Sequence, residues 1–302
     1  MKNLQKKCIF IILFITACIN NVKSQNYFYT ENQYDVANNE KGSITNVQFE
    51  EAFNTVLKFG IPFKYSQGGC ESRAYAMYLL LDSMHIPNFR IWIFAPSKYL
   101  QNNYDLLHVK DRNDPTKTIN WGYHTAPAVV IKEKDKLDTF ILDPSLSKKP
   151  LIYKDWLLLM DGYNIAYYTF ISSDFFMFYT TPISDNKNKI DFFKYEGIAK
   201  GLNYGDMKLE KNLALDYVGR YLYGKYIKND ESKKIDYIKP IISSIANLEN
   251  FILGNKLPDE IDISLRQLYN EFPDFVKDSK NVYNREFYKW YRKINAYQKK
   301  GN

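Results

Sequence analysis

Cys70, His124 and Asp143 are the residues whose types could do chemistry together. Of three cysteines, Cys8 and Cys18 fall within the first twenty residues, so Cys70 is the thiol of the folded part. It follows Gly68 and Gly69 in "QGGCESRAYAMYLLLD" and opens a helical pattern. A sulfur in the first turn of a helix meets unpaired backbone N–H groups and the positive end of the macrodipole, which favour thiolate and lower its pKa. The two glycines leave room for a substrate carbonyl, and the backbone N–H between Gly69 and Cys70 is placed to meet an oxyanion. The same residues also allow a plainer reading, a buried cysteine behind an ordinary glycine turn.

A thiol nucleophile needs an imidazole to hold or shuttle its proton, and the chain offers His85, His108 and His124. His85 is expected on the packed face of the Cys70 helix near its far end, a core or helix-end residue. His108 is expected in a strand between apolar residues, a structural position. His124 stands in "WGYHTAPAVVI", which with "TFILDP" flanks a charged turn near Glu133 to Lys136. Paired hairpin residues have a constant index sum. Pairing His124 with Asp143 centres the turn between Glu133 and Lys134, so the two fall opposite or one diagonal step apart unless Pro127 introduces a bulge. Pro144 biases Asp143 toward an extended backbone, from which a carboxylate can orient an imidazole. Trp121 either lines a substrate channel or packs in the core. A nucleophile at a helix start, with imidazole and carboxylate on neighbouring antiparallel strands, is the arrangement of papain-like and transglutaminase-like enzymes. One cysteine and three scattered histidines make no metal-ligand pair, and no cofactor is expected.

The elements that must position these groups follow from periodicity. "VQFEEAFNTVLKF" carries apolar residues at helical spacing and is stopped by Gly60 and Pro62. From Glu71, the spacing of Ala74, Tyr78, Leu81 and His85 predicts a second helix ending before Pro87. "FRIWIFA", "DLLHVKD", "KTINWGYHTAPAVVIK" and "LDTFILD" read as strands, and their short polar connections predict antiparallel neighbours. "PLIYKDWLLLMDG" reads as a closing helix and Tyr167 to Tyr179 as further strand or core. Pro182 and "SDNKNK" mark a boundary. Beyond it, "LEKNLALDYVGRYLYGKYI", "YIKPIISSIANLENFIL", "EIDISLRQLYNEF" and "NREFYKWYRKINAY" suit amphipathic helices with solvated outer faces. The fold class is α+β, with the cysteine helix packed on an antiparallel sheet and an α-helical C-terminal region. The expected organisation is an export signal over 1–24, an irregular lead-in over 25–46, a catalytic domain over 47–184 and a helical domain over 185–302.

Lys2, Lys6 and Lys7 precede an apolar run, Cys8 to Ile19, that is too short to span a bilayer; this reads as a signal peptide cleaved before Gln25. Ile15 to Cys18 offers an alternative lipoprotein box with an anchor at Cys18. Either way the chain is exported, and no transmembrane segment is expected in the mature form. Losing Lys2, Lys6, Lys7 and Lys23 takes the formal charge from +7 to +3, which is no nucleic-acid footprint.

Three of these motifs carry a resemblance. "GGCESRAYAM", "WGYHTAP" and "ILDPSL" resemble, in order, the cysteine, histidine and aspartate motifs of bacterial protein-glutaminases, over roughly Phe59 to Met160. The resemblance implies a transglutaminase-like Cys-His-Asp enzyme that deamidates glutamine side chains within proteins. By matching positions, Cys70 is the nucleophile, His124 the acid/base and Asp143 its orienting partner, with glutamine-bearing proteins as substrates. The chain departs from the family in two places. Family members carry an amino-terminal pro-segment over the active-site cleft, for which Gln25 to Asn46 is short, and here a long helical region follows the core. That region is expected to recognise a target, anchor the enzyme or simply pack against it. A cysteine peptidase or a transglutaminase would use the same three residues. A surface interaction protein binding partners through its Tyr- and Lys-rich helices would use none of them.

Overall fold

A computed structural model describes residues 28–31, 33, 42–65, 67–95, 106–111, 117–134, 136–184, 187–195, 208–227, 232–254 and 266–298. The export segment with Cys18, and most of the lead-in, lie outside these residues.

The first helix, α1 (Asn46–Lys58), begins at a capping box: Thr45 Oγ1 accepts from Gln48 N–H at 3.3 Å, and Gln48 Oε1 accepts from Thr45 N–H at 3.0 Å. It buries Phe49, Ala52, Phe53 and Val56, the predicted stripe. The cysteine helix, α2 (Cys70–Ser83), follows. The main sheet holds β2 (Ser43–Ile44), β3 (Phe89–Phe94), β6 (Tyr123–Glu133), β7 (Lys136–Ile141), β8 (Leu151–Ile152) and β9 (Tyr167–Ser172), in the order β8-β7-β6-β3-β9, with β2 parallel to β6. The short connection predicted an antiparallel β6/β7 pair, and that is what forms. Two smaller sheets complete the β part. One is β4 (Leu107–Lys110) with β5 (Thr118–Trp121); the other is β1 (Phe28–Tyr29), β11 (Lys187–Lys194) and β10 (Phe175–Ser184). The pleat divides the core. Phe89, Ile91 and Ile93 of β3 enter a cluster with Trp121 and Trp156, while Trp92 and Phe94 enter a second cluster with α1 and α2. The α+β plan read from the sequence is the plan of the protein.

Several details depart from expectation. The α2 helix buries every residue from Cys70 to Met77, so it is covered on nearly all sides. His85 is not on a packed face: it is exposed at φ 56°, just past the helix. Ile86 N–H bonds Leu81 O and His85 N–H bonds Asp82 O, both at 2.9 Å, a Schellman ending in which His85 takes the left-handed position. "PLIYKDWLLLMDG" supplies strand β8 and only a short helix, α3 (Tyr153–Leu157). A paired bridge between Asp161 and His108, two 2.9 Å backbone bonds, draws the chain out of the helix. Lys187–Lys194, expected at the start of the helical region, is strand β11, because Asn188, Ile190 and Phe192 alternate inward with a period of two.

The remaining described elements are helical: α4 (Leu209–Leu222) with a π turn at Tyr223–Ile227, α5 (Ser232–Ile241), α6 (Ile245–Leu253) and α7 (Pro273–Gln298). They build their own apolar cluster, yet Leu209, Leu213, Trp290 and Ile294 sit in the cluster under α1 and α2. The loop between α1 and α2 is held by these helices. Lys293 Nζ donates to Phe59 O at 2.5 Å, Tyr65 Oη donates to Ile242 O at 3.0 Å, and the Tyr65 ring lies where a Cβ at Gly219 would be.

Candidate active site

Gly69 places the cysteine. It caps α2 at φ 72°, a left-handed conformation that glycine adopts without strain, and a Cβ there would overlap the Asp216 carboxylate. The first intrahelical bond is Arg73 N–H to Gly69 O at 3.0 Å, so the N–H groups of Cys70, Glu71 and Ser72 precede the ladder. Cys70 is 8 % exposed, and its Sγ lies 3.5 Å from Glu71 Oε2. The helix start was expected to lower the thiol pKa. Instead burial pushes it well above its ordinary value, Glu71 adds to the rise, and the Arg73 charge and a Thr125 backbone N–H act the other way. A helix terminus contributes modestly, and removal of the sulfur from water outweighs it.

The Thr125 contact ties the thiol to the imidazole-bearing strand. Strand β7 leaves β6 at the Ala128–Ile141 pair, so the β6 edge from Tyr123 to Thr125 lies beyond the reach of β7, and Thr125 N–H meets Cys70 there. His124, the preceding residue, is 2 % exposed, and its Nε2 is 2.8 Å from Asp143 Oδ2; Asp143 is 4 % exposed. The hairpin register is two residues away from the expected one, because the turn falls one residue later, with Lys134 at φ 54°. Asp143 therefore meets His124 by the diagonal step and not from directly opposite. Pro127 makes no bulge in the β6/β7 pairing, and its carbonyl accepts from Leu142 N–H at 2.9 Å.

The carboxylate of Asp143 is fully engaged. Oδ2 also accepts from Trp156 Nε1 at 2.9 Å, and Oδ1 accepts from Ser145 N–H at 3.0 Å. Burial pushes the carboxyl up, but the His124 charge and hydrogen bond, followed by the Trp156 bond, hold it below its ordinary range. With Nε2 on Asp143, Nδ1 is the ring nitrogen left for proton exchange with a nucleophile. The imidazole lies between two indoles, Trp121 at 4.3 Å and 18° and Trp156 at 5.7 Å and 22° between centroids and planes. Trp121 is thus packed on the histidine ring. His108 stands apart from this group, with Nδ1 at 2.7 Å from Asn120 Oδ1 across β4 and β5.

Two supports were not anticipated from the sequence. Trp156 stands only 13 residues after Asp143, and a tryptophan so close to a proposed orienting carboxylate was a usable signal. The second is Asp216 of α4, whose Oδ2 is 2.8 Å from Arg73 Nη1, with both side chains almost wholly buried. Arg73 Nη1 also donates to Gly68 O at 2.6 Å, and Asn212 Nδ2 donates to Ser72 Oγ at 3.1 Å. The turn before Cys70 is therefore clamped by the helical region. The signal was an acid on the apolar stripe of "LEKNLALDYVGRYL".

Residues 45–160 match the model of a family described as glutaminase. A comparison with curated proteins finds no match. Among solved structures, a crystal structure of protein-glutaminase is 17% identical, with 60% of this chain and 90% of that chain covered at a TM-score of 0.43. The NMR structure of protein-glutaminase from Chryseobacterium proteolyticum is 16% identical, with 60% and 89% covered at 0.41. A crystal structure of pro-protein-glutaminase is 18% identical, with 60% and 59% covered at 0.42. The matching segment, residues 45–160, is the one that carries Cys70, His124 and Asp143, and it is this part of the chain that is similar to the glutaminase family.

Proposed function

We propose that this protein hydrolyses the side-chain amide of glutamine within proteins, giving glutamate and ammonia through a thioester on Cys70. The observation that carries the reading is the 2.8 Å His124–Asp143 contact on the β6 strand that touches Cys70, within the segment that matches the glutaminase family. The resting nucleophile is a thiol. As its sulfur attacks the amide carbon, the proton passes to His124 Nδ1, and Asp143 favours the resulting imidazolium from the Nε2 side. The tetrahedral oxyanion meets N–H groups of the first turn of α2 beside Gly69, each worth about 3 kcal/mol. His124 then protonates the departing nitrogen, which leaves as ammonia. Water attacks the thioester, giving up a proton to His124, and that proton returns to the sulfur as the glutamate side chain leaves.

Burial favours a side-chain amide over a main-chain one. Cys70 is nearly enclosed, and a carboxamide carried on two methylenes reaches a recessed sulfur more readily than a peptide bond flanked by residues on both sides. The apolar run after Lys2, Lys6 and Lys7 supports export of the enzyme. Among the described residues no helix is long and apolar enough to cross a membrane. The catalytic unit, in this reading, continues through β11, and the helices from Leu209 onward buttress it.

Intact-mass spectrometry of a glutamine-rich protein incubated with the wild-type enzyme and with Cys70→Ala tests the proposal. The expected result is ammonia release with the mass gain of amide-to-acid conversion on an uncut chain, and neither with Cys70→Ala. New termini would identify a peptidase, crosslinks a transglutaminase, and an unchanged protein would remove the enzyme reading.

A further inference from the structure

The acyl-transfer scheme gives no task to Glu71, yet its carboxylate stands beside the nucleophile. Glu71 is the second residue of α2 and is 6 % exposed. Its Oε2 lies 3.5 Å from Cys70 Sγ and 3.5 Å from the Tyr123 hydroxyl, both donors. Among the described residues no cation forms an ion pair with it; Arg73, two positions on, directs Nη1 to Asp216 and to Gly68 O. The charges of Arg73 and Arg90 also act on it, but its hydrogen-bond partners among the described residues are a thiol and a phenol, too few to replace the water a carboxylate loses on burial. The positive end of α2 steadies its charge, but its acceptor capacity is not filled by two weak contacts at 3.5 Å. A ligand carrying N–H donors supplies what is missing.

The substrate of the proposed reaction carries two N–H donors on the amide whose carbon Cys70 attacks. We infer that Glu71 selects the primary amide, accepting an N–H of the glutamine NH2 group on the leaving-group side while the carbonyl oxygen faces the first-turn N–H groups of α2. A main-chain amide puts carbon where one of those hydrogens would be, and Glu71 would be left facing it without a donor. The glutamate product brings a second negative charge against Glu71, so the same group that holds the substrate expels the product. Before substrate arrives, the Cys70–Glu71 contact keeps the proton on sulfur; once the carboxamide takes over Glu71, that proton is released to His124. Selection of primary amides is thereby coupled to activation of the thiol.

This inference rests on the deamidation reading, and its test separates the two. Full-length wild-type enzyme is first alkylated at Cys70 with iodoacetamide in the presence of propionamide, N-methylpropionamide or propionate. Protection by propionamide alone is expected, and equal protection by all three overturns the inference without requiring any variant to fold. Glu71→Gln, which keeps the volume, is then compared with wild type on a glutamine peptide and its glutamate product. Inhibition by the product peptide should tighten at least about tenfold as the like-charge repulsion disappears, while kcat/KM for the glutamine peptide falls. A folded Glu71→Gln enzyme whose product inhibition matches wild type overturns the inference while leaving deamidation standing. A wild-type enzyme that releases no ammonia removes the deamidation reading and this inference with it.

Discussion

Asp143→Asn isolates the charge that the orienting residue contributes. The substitution keeps the shape of the side chain, and the amide oxygen can still accept, but Nδ2 offers hydrogens where one carboxylate oxygen now accepts, either Oδ2 from His124 Nε2 and Trp156 Nε1 or Oδ1 from Ser145 N–H. An imidazolium formed at His124 then has no anion at 2.8 Å. With charge centres about 4 Å apart and an effective dielectric near 20, the lost stabilisation is about 4 kcal/mol, or about a thousandfold in rate. The assay is ammonia release from a glutamine peptide across pH, with circular dichroism to confirm the fold. Trp156→Phe is the control. It removes one neutral donor and keeps the charge, so its rate should fall by about tenfold or less. The same carboxylate leaves a stability signature. Its folded pKa lies below the ordinary 3.8, so it stabilises the fold above that pH and the contribution is lost as pH falls through the folded value. Asp143→Asn should therefore flatten the acid limb of thermal unfolding. A folded Asp143→Asn enzyme within tenfold of wild type would refute the view that this carboxylate steadies an imidazolium.

Three further outcomes follow from the site. Asp216→Ala leaves the Arg73 guanidinium buried without its anion and should cost about 3–5 kcal/mol in chemical denaturation, whereas Arg73→Met with Asp216→Leu should recover most of it; a loss under about 1 kcal/mol for the single change would contradict the clamp. Gly69→Ala combines a left-handed backbone with a methyl group set against the Asp216 carboxylate, so it should lower stability by about 1–3 kcal/mol and abolish turnover, read by melting temperature and ammonia release. Iodoacetamide labelling of Cys70 in the substrate-free enzyme should be slow at neutral pH and keep rising beyond pH 9.0, the ordinary thiol value, because burial and Glu71 hold the proton on sulfur; labelling already at its plateau at neutral pH would show a thiolate instead.

The parts legible in the sequence are those governed by local periodicity. The branched and aromatic runs in "FRIWIFA" and "LDTFILD" and the glycines before Cys70 were enough to set the strands and the helix start, and the diagonal tolerance of a hairpin absorbed a two-residue register error between His124 and Asp143. What escaped depends on contacts distant along the chain. The direction of the Cys70 pKa reflects how thoroughly α2 is covered, partly by Asp216, which is 143 residues from Arg73. The strand Lys187–Lys194 was hidden because its polar flank resembles a linker, and its inward alternation gains meaning only beside β10 and β1. His85 shows the same limit: its spacing fits the helical stripe, but a terminating turn two residues earlier takes it off that face.

The connection from α1 to α2 is fastened at Phe59 by Lys293, at Tyr65 by Ile242 and Gly219, and at the glycine pair by Arg73 and Asp216. An excised fragment ending at residue 160 would keep all three quoted motifs and still lose Lys293, Ile242, Gly219 and Asp216. Gene architecture and motif content therefore part company here: the information that holds the sulfur in place is written in the last third of the polypeptide.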